Sequence, residues 1–235
     1  MTNPDPDQVR ATFDGIAPTY DLANRVLSLR LDLRWRRQLV REAMGTAPKD
    51  VLDLATGSGD VALSLRRSLP AETKIVGLDF SPPMLAEAEK KRDSLGYDSS
   101  KLKFLEGDCL NLPFEDESFD LVTIAFGLRN LSDRSRGLSE MLRVLRRDGR
   151  LMVLEFSQPY LFFRPFYYLY LRVFLPFLAS RITKNREAYH YLGSSISRFP
   201  DRFGLAEEIR QAGFGKVRFT CLAFAVVALH VALVK

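Results

Sequence analysis

The stretch VLDLATGSGD, Val51 to Asp60, constrains this chain more than any other. Val51 to Leu54 reads as a short buried strand, Ala55 to Gly59 as a tight turn, and Asp60 to Leu69 as an amphipathic helix. Gly57 and Gly59 let the backbone turn sharply and put no Cβ in the way of a ligand. The helix behind them offers free N–H groups above the turn. About twenty residues further on, Asp79 ends a second apolar strand, Ile75-Val76-Gly77-Leu78. In a βαβ unit a carboxylate there suits both hydroxyls of a ribose. The pattern points to a nucleoside-containing cofactor.

Two such cofactors compete. Gly57-Ser58-Gly59-Asp60-Val61-Ala62 fits the loose dinucleotide pattern G-x-G-x-x-A. Against it, Asp53 stands four residues before the first glycine, where a carboxylate would face an anionic pyrophosphate. S-adenosylmethionine carries an ammonium and a sulfonium, which a nearby carboxylate favours. The bland alternative, a glycine turn with no ligand, fails to explain why strand, turn, helix and distant acid all agree.

The rest of the chain supports an α/β enzyme. At 235 residues with 46% hydrophobic content, one α/β domain with an appendage is the simplest reading. Cys109 and Cys221 have no metal or redox spacing, which favours a reducing compartment. With only His190 and His230 as histidines, no protein metal site is expected. The net charge of +5 suits nucleic acid or an anionic membrane surface, and there is no recognisable nucleic-acid motif. The polar start MTNPDPD is not a signal peptide, and residues 1–8 read as a frayed tail.

Val9 to Met44 is helical in pattern, with Ile16 to Asp21 as a break. Leu27, Leu31, Trp35 and Leu39 share one face, and Arg30, Arg34, Arg36, Arg37 and Arg41 make the segment basic. Pro82-Pro83 opens a helix to Leu95. Leu102 to Glu106 is a third strand, Asn111 to Ser118 a loop, and Phe119 to Ala125 a fourth strand, apolar as a doubly covered strand should be. Ser132 or Asp133 caps a helix to about Arg147, Asp148-Gly149 stops it, and Arg150 to Phe156 is a fifth strand. The alternation predicts a doubly wound parallel sheet, with Asp53, Asp79, Asp108 and Phe126 to Asn130 at its carboxyl edge.

Tyr160 to Ile182 is aromatic-rich and broken by Arg164, Pro165, Arg172 and Pro176, too interrupted for a transmembrane helix. It is either a buried lid helix or an interfacial surface whose arginines snorkel to phosphates. Asn185 to Phe199 and Phe203 to Ala212 read as helices, and Val217 to Cys221 with Val226 to Val234 as a closing strand pair.

These motifs resemble those of the S-adenosylmethionine-dependent C-methyltransferases of menaquinone and ubiquinone biosynthesis. VLDLATGSGD resembles the family's glycine motif, LPFEDESFDLVTIAFGLRNLSD its longest signature, VLEFSQP its fifth-strand motif, FDGIAPTYD its N-terminal motif and VVALH its final strand. The resemblance runs from about Phe13 to His230. It implies a class I methyltransferase fold: a Rossmann-like sheet, mostly parallel with a C-terminal antiparallel hairpin. The layout expected is a helical cap over 1–45, a cofactor-binding core over 46–156, an aromatic lid over 157–200 and a closing helix and hairpin over 201–235.

The resemblance also implies roles. With Asp53, Gly57 and Gly59, the cofactor residues are Ser58, where the family has a threonine, Asp79 at the ribose, Asp108 and Cys109 beside the adenine, and Ala125 through its backbone. Arg129 and Asn130 match a pair implicated at the quinol, and Tyr20 matches the tyrosine of the N-terminal motif. The substrate implied is a polyprenylated quinol, methylated on a ring carbon beside a hydroxyl. A phenolate makes that carbon nucleophilic, so the site must remove a proton, align two substrates and exclude water. Arg129 stays charged and is no base, but it can stabilise the phenolate or orient a water; its bland reading is a structural salt bridge. His230 is the one candidate imidazole base, and its bland reading is a core histidine.

Phe224-Ala225 replaces a glycine-rich bend, and the apolar end departs from the family's pattern. A cytoplasmic protein at the inner face of the membrane is expected, with a homodimer left open. Three other readings stay open: a methyltransferase of another lipid or small phenol, a dinucleotide oxidoreductase, and a non-catalytic quinone- or membrane-binding relative.

Overall fold

A computed structural model describes residues 9–10, 14–15, 20–174 and 193–235. Seven strands make one sheet: β1 (Asp50–Leu54), β2 (Lys74–Asp79), β3 (Leu102–Glu106), β4 (Phe119–Ala125), β5 (Leu145–Phe156), β6 (Val217–Leu222) and β7 (Val227–Leu233). Their spatial order is β3-β2-β1-β4-β5-β7-β6. The first five run parallel, and β7 lies antiparallel between β5 and β6. The mostly parallel, doubly wound sheet and its antiparallel closing pair are thus as the sequence implies.

The central strands β1 and β4 are apolar because helices cover both faces. One core cluster joins the sheet to α1 (Tyr20–Leu27), α2 (Leu31–Met44), α3 (Asp60–Ser68) and α4 (Pro82–Ser94). The other joins it to α5 (Arg134–Val144) and to a later helix, Arg202–Gln211. Between them, α6 (Arg164–Leu169) and a π-helical turn, Tyr170–Phe174, form the described part of the aromatic stretch. The helix Arg202–Gln211 is α7.

Parallel pairing brings the carboxyl ends of β1, β2, β3 and β4 to one edge. There the turns after β1 and β4 touch. A Cβ on Gly127 would lie 2.5 Å from that of Ala55, so this position admits glycine alone. Ala55 and Phe126 pay for the approach in left-handed backbone, with φ of 48° and 60°.

Some boundaries differ from the sequence reading. Tyr20 and Asp21 belong to α1 and not to the break expected over Ile16 to Asp21, whose residues 16–19 lie outside the described residues; a further break falls at Ser28 to Arg30, where Leu29 and Arg30 have positive φ. Helix α5 stops at Val144, not near Arg147. Leu145 already pairs with Phe119, and Arg146 is drawn out to the carboxylates of Asp50 (2.9 Å) and Asp120 (2.8 Å). Asp148-Gly149 therefore lies in an irregular part of β5, with Asp148 at φ 62°. Of the helix expected over Asn185 to Phe199, residues 193–198 are helical and the remainder up to 192, with His190, lies outside the described residues. The same holds for 175–182 of the aromatic stretch.

The closing hairpin keeps a regular register despite its missing glycines. Ala223, Phe224 and Ala225 all take left-handed φ, 48°, 57° and 65°.

Candidate active site

The glycine turn and Asp79 form one hydrogen-bonded unit. Gly57 N–H donates to Asp79 Oδ2 (2.8 Å) and Ser81 N–H to Oδ1 (3.0 Å). Burial pushes the Asp79 carboxyl above its ordinary value, and these N–H bonds pull against it. Gly59 is needed for packing: a Cβ there would meet Ala88 Cβ at 2.9 Å and the Phe104 ring at 3.0 Å. Ser58 is buried and donates to Asp21 Oδ1 (2.6 Å), across to α1.

A cavity of about 250 Å³ opens in front of this unit. Gly57, Asp79, Asp108, Cys109, Ala125 and Asn130 all line it. Asp108 Oδ1 accepts from Leu110 N–H (2.8 Å), which holds the turn after β3. Cys109 is buried, and burial beside Asp79 pushes its thiol up to about 12.

A smaller recess continues under the glycine turn, between Asp53 and Arg36. Asp53 is fully buried and accepts from Thr56 Oγ1 (2.7 Å) and Thr123 Oγ1 (2.6 Å). Burial dominates over these bonds and raises its carboxyl to about 6. The Arg36 guanidinium pairs with Asp32, while its Nε is buried without a partner among the described residues. Asp60 also lines this recess but is paired with Arg25 and Lys91, which leaves the Asp53 carboxyl and the Arg36 guanidinium to match the two charges of an amino acid. With the nucleoside-sized cavity next door, the donor set fits S-adenosylmethionine. Sequence reasoning treated Arg36 as surface charge; its i, i+4 spacing from Asp32, beside the apolar Trp35 position, was the available signal.

Ion pairs fasten α1 over the turn. Lys91 of α4 reaches Asp21, Asp60 Oδ1 (3.2 Å) and the Ser58 carbonyl (3.0 Å). Arg25 bridges Asp60 (2.5 Å) and Asp32. Against burial, Arg36 first, then Lys91 and Arg25, hold the Asp60 carboxyl below its ordinary value.

A second cavity, about 500 Å³, meets the first at Tyr20 and Phe126. Its walls are mostly aromatic and apolar, including Trp35, Phe156, Phe163, Tyr167 and Leu171. Tyr20 stands at the junction, and burial raises its phenol above the ordinary value. Arg129 lines this second cavity and Asn130 the first, because successive side chains diverge in the 3₁₀ turn Leu128–Asn130. The sequence pair is thereby divided between the two chambers.

Arg129 is buried and does form a salt bridge. Its Nη1 donates to Glu155 Oε1 (2.8 Å) and to the Phe126 carbonyl (2.5 Å), and its guanidinium lies 5.1 Å over the Phe156 ring. Its Nε has no partner among the described residues. Tyr167, which sequence reasoning did not single out, is 8% exposed, and its hydroxyl is buried without a partner among the described residues. His230 lies outside all three cavities. It sits on β7 against Phe219, with Nε2 2.8 Å from the Arg202 carbonyl, and burial lowers its proton affinity. The core reading of His230 holds.

The mouth of the aromatic cavity carries exposed side chains, among them Leu29, Phe166 and Phe224, continuous with Leu161 and Phe162. The aromatic stretch is thus both lid and surface: Tyr167 and Leu171 face in, Phe162 and Phe166 out.

The profile of the ubiE/COQ5 methyltransferase family matches residues 1–234. A demethylmenaquinone methyltransferase of Thermus thermophilus is 49% identical over 220 residues, 93% of this chain and 98% of that protein. A ubiquinone/menaquinone biosynthesis C-methyltransferase UbiE of Citrifermentans bemidjiense is 41% identical over 227 residues, 96% and 95% of the two chains. Among solved structures, a SAM-dependent methyltransferase from Aquifex aeolicus superposes with a TM-score of 0.65 at 17% identity, covering 98% of this chain and 99% of that one. At that identity the likeness shows the fold.

Proposed function

The chain belongs to the ubiE/COQ5 methyltransferase family, and from that premise we propose that it methylates a ring carbon of a polyprenylated quinol, using S-adenosylmethionine. The observation that carries the reading is the pair of joined cavities. A polar chamber built on the glycine turn meets an aromatic chamber twice its volume, and Tyr20 and Phe126 belong to both. A bisubstrate transfer between a nucleoside donor and an apolar ring needs that juxtaposition.

S-adenosylmethionine supplies an electrophilic methyl group. For its binding, Asp79 would take the ribose hydroxyls, Asp108 and Cys109 the adenine edge, and Ala125 a backbone contact. Gly57, Ser58 and Gly59 form the turn beneath it. Asp53 would hold the ammonium and Arg36 the carboxylate.

On the acceptor side the residues have two tasks. Arg129 faces the aromatic chamber as a fixed cation. A positive charge lowers a nearby hydroxyl's proton affinity, here partly offset by the paired Glu155 carboxylate, so the quinol gives up its proton to water more readily beside it. Glu155 holds that guanidinium in place through Nη1. Tyr20, at the junction, orients the ring face, and Asn130, on the wall of the polar chamber, takes the ring oxygen presented there. The aromatic walls keep water from the reacting carbon, which strengthens the charge interaction.

The quinol's tail needs an exit, and the exposed aromatic rim supplies one. No helix of the described residues is long and apolar enough to cross a membrane. We therefore take the protein to meet its substrate by resting this rim on the bilayer surface.

Labelled S-adenosylmethionine, offered with reduced demethylmenaquinol and with the benzoquinol precursor in parallel, tests the reading. Label in the lipid fraction of one or both supports it and identifies the head group. With cofactor binding demonstrated, no label in either would overturn it.

A further inference from the structure

Three tyrosines stand close together on α6 and the turn after it, and two are satisfied. Tyr168 donates to Gln158 Oε1 (2.6 Å), and Tyr170 donates to the Leu27 carbonyl. Tyr167 is the exception: its hydroxyl is buried without a partner among the described residues. Buried tyrosine hydroxyls ordinarily find partners, so the exception asks what the missing partner is. Tyr167 lines the aromatic chamber. Arg129 and Glu155 both act on it electrostatically, and Arg129, which lines the same chamber, likewise has an unpartnered Nε among the described residues. With the Arg36 Nε, which belongs to the same chamber, these are three orphaned donors on a mostly apolar wall, and of them Tyr167 alone is uncharged and on the lid side, complementary to an acceptor carried in by a ligand.

The chemistry of the substrate says which acceptor. The reacting ring carbon, with the oxygen flanking it, must face the junction with the cofactor chamber at Tyr20 and Phe126. The neighbouring carbon bears the prenyl tail and faces the mouth. The oxygen flanking that carbon then turns toward the lid, where Tyr167 sits. We propose that Tyr167 donates a hydrogen bond to the quinol oxygen on the tail side of the ring, and so fixes which ring carbon is presented for methylation. The inference rests on the quinol reading of the site and adds a residue and an orientation to it.

The chain's single tryptophan, Trp35, lines the same chamber, so its fluorescence reports occupancy without turnover. The probes are a short-chain prenylated naphthoquinol, kept reduced, and its monohydroxy analogue lacking only the oxygen beside the prenyl-bearing carbon. The wild type should bind the two-oxygen compound about tenfold more tightly, the worth of one hydrogen bond. Tyr167→Phe should bind both alike, at the weaker level, with S-adenosylmethionine affinity unchanged. Tyr168→Phe, whose hydroxyl already has a partner in Gln158, should keep the tenfold preference. Because Tyr167→Phe removes an unpaired buried oxygen, its melting temperature should not fall. A Tyr167→Phe protein that keeps the preference overturns the inference, as does a wild type that shows none or binds neither probe. Binding with the expected preference but no methyl transfer would instead sink the reading of the activity and leave the contact standing.

Discussion

Asp53 has two hydroxyl partners and still holds its proton to about pH 6. The sign of the resulting pH effect follows. Between the unfolded value of 3.8 and about 6 the folded state binds more protons than the unfolded one, so this group lowers stability as pH rises through that window. The loss is about 3 kcal/mol at full extent. Asp53→Asn should abolish it, so the variant should gain on the wild type by about 2–3 kcal/mol between pH 4 and pH 7 in urea unfolding. The cofactor's ammonium prefers the ionised carboxylate, so calorimetric affinity should be weaker at pH 5 than at pH 7.5 in the wild type and flat in the variant. The glycine turn and Asp79 were legible in the sequence because their chemistry is local to one βαβ unit. Arg36 and Tyr167 were not, because their roles depend on which face meets a cavity, and that is decided by packing across the sheet.

At the scale of elements, the attachment of α1 rests on charge. Lys91 alone touches Asp21, Asp60 and the Ser58 carbonyl, joining α4 to both the cap and the glycine turn. Lys91→Met should release that corner and leave the cofactor contacts themselves in place. We expect S-adenosylmethionine to dissociate several-fold faster in stopped-flow displacement, with little change in a saturated turnover rate. An unchanged dissociation rate would mean that the other fastenings of α1, its apolar face at Ala23 and Leu27 and the bonds of Ser58 and Arg25, suffice without Lys91. The strands were readable because each is a short apolar run between turn residues. The end of α5 was not, since Leu145-Arg146-Arg147 is as helical in pattern as what precedes it. Long-range pairing of Leu145 with Phe119, and of Arg146 with two aspartates, overrides propensity there. The last hairpin carried the opposite problem. Three non-glycine left-handed residues cost about 1–2 kcal/mol each, and burial of Ala225 and β7 offsets them.

For the molecule as a whole, we propose that the aromatic rim and the charge of +5 act together at a bilayer surface. Leu161, Phe162, Phe166 and Phe224 are all more than half exposed, and exposed Arg30 and Arg172 accompany them. Apolar insertion with basic side chains at the phosphate level describes interfacial binding. The protein should float with anionic vesicles at low salt and partly detach as salt rises. A Phe162→Ser/Phe166→Ser double variant should partition about tenfold less, consistent with about 1.5–3 kcal/mol for each large side chain that inserts fully and less for partial insertion. Cofactor affinity should not change, because neither side chain lines the polar chamber. A protein that stays wholly with the aqueous fraction at low salt would leave the rim without a bilayer role.

The elevated thiol of Cys109 has a consequence for survival beside such a substrate. The oxidised form of a quinol with an unsubstituted ring carbon is an electrophile, and thiolates add to it readily. With its thiol pushed up to about 12, Cys109 stays protonated at neutral pH, so arylation at this position is suppressed by proton affinity as well as by burial. Alkylation by iodoacetamide, followed by mass spectrometry, should leave Cys109 unlabelled in the folded protein at pH 8 and label it once the chain is unfolded. The chamber that brings a methyl donor to a reactive ring is thereby inert to the ring itself.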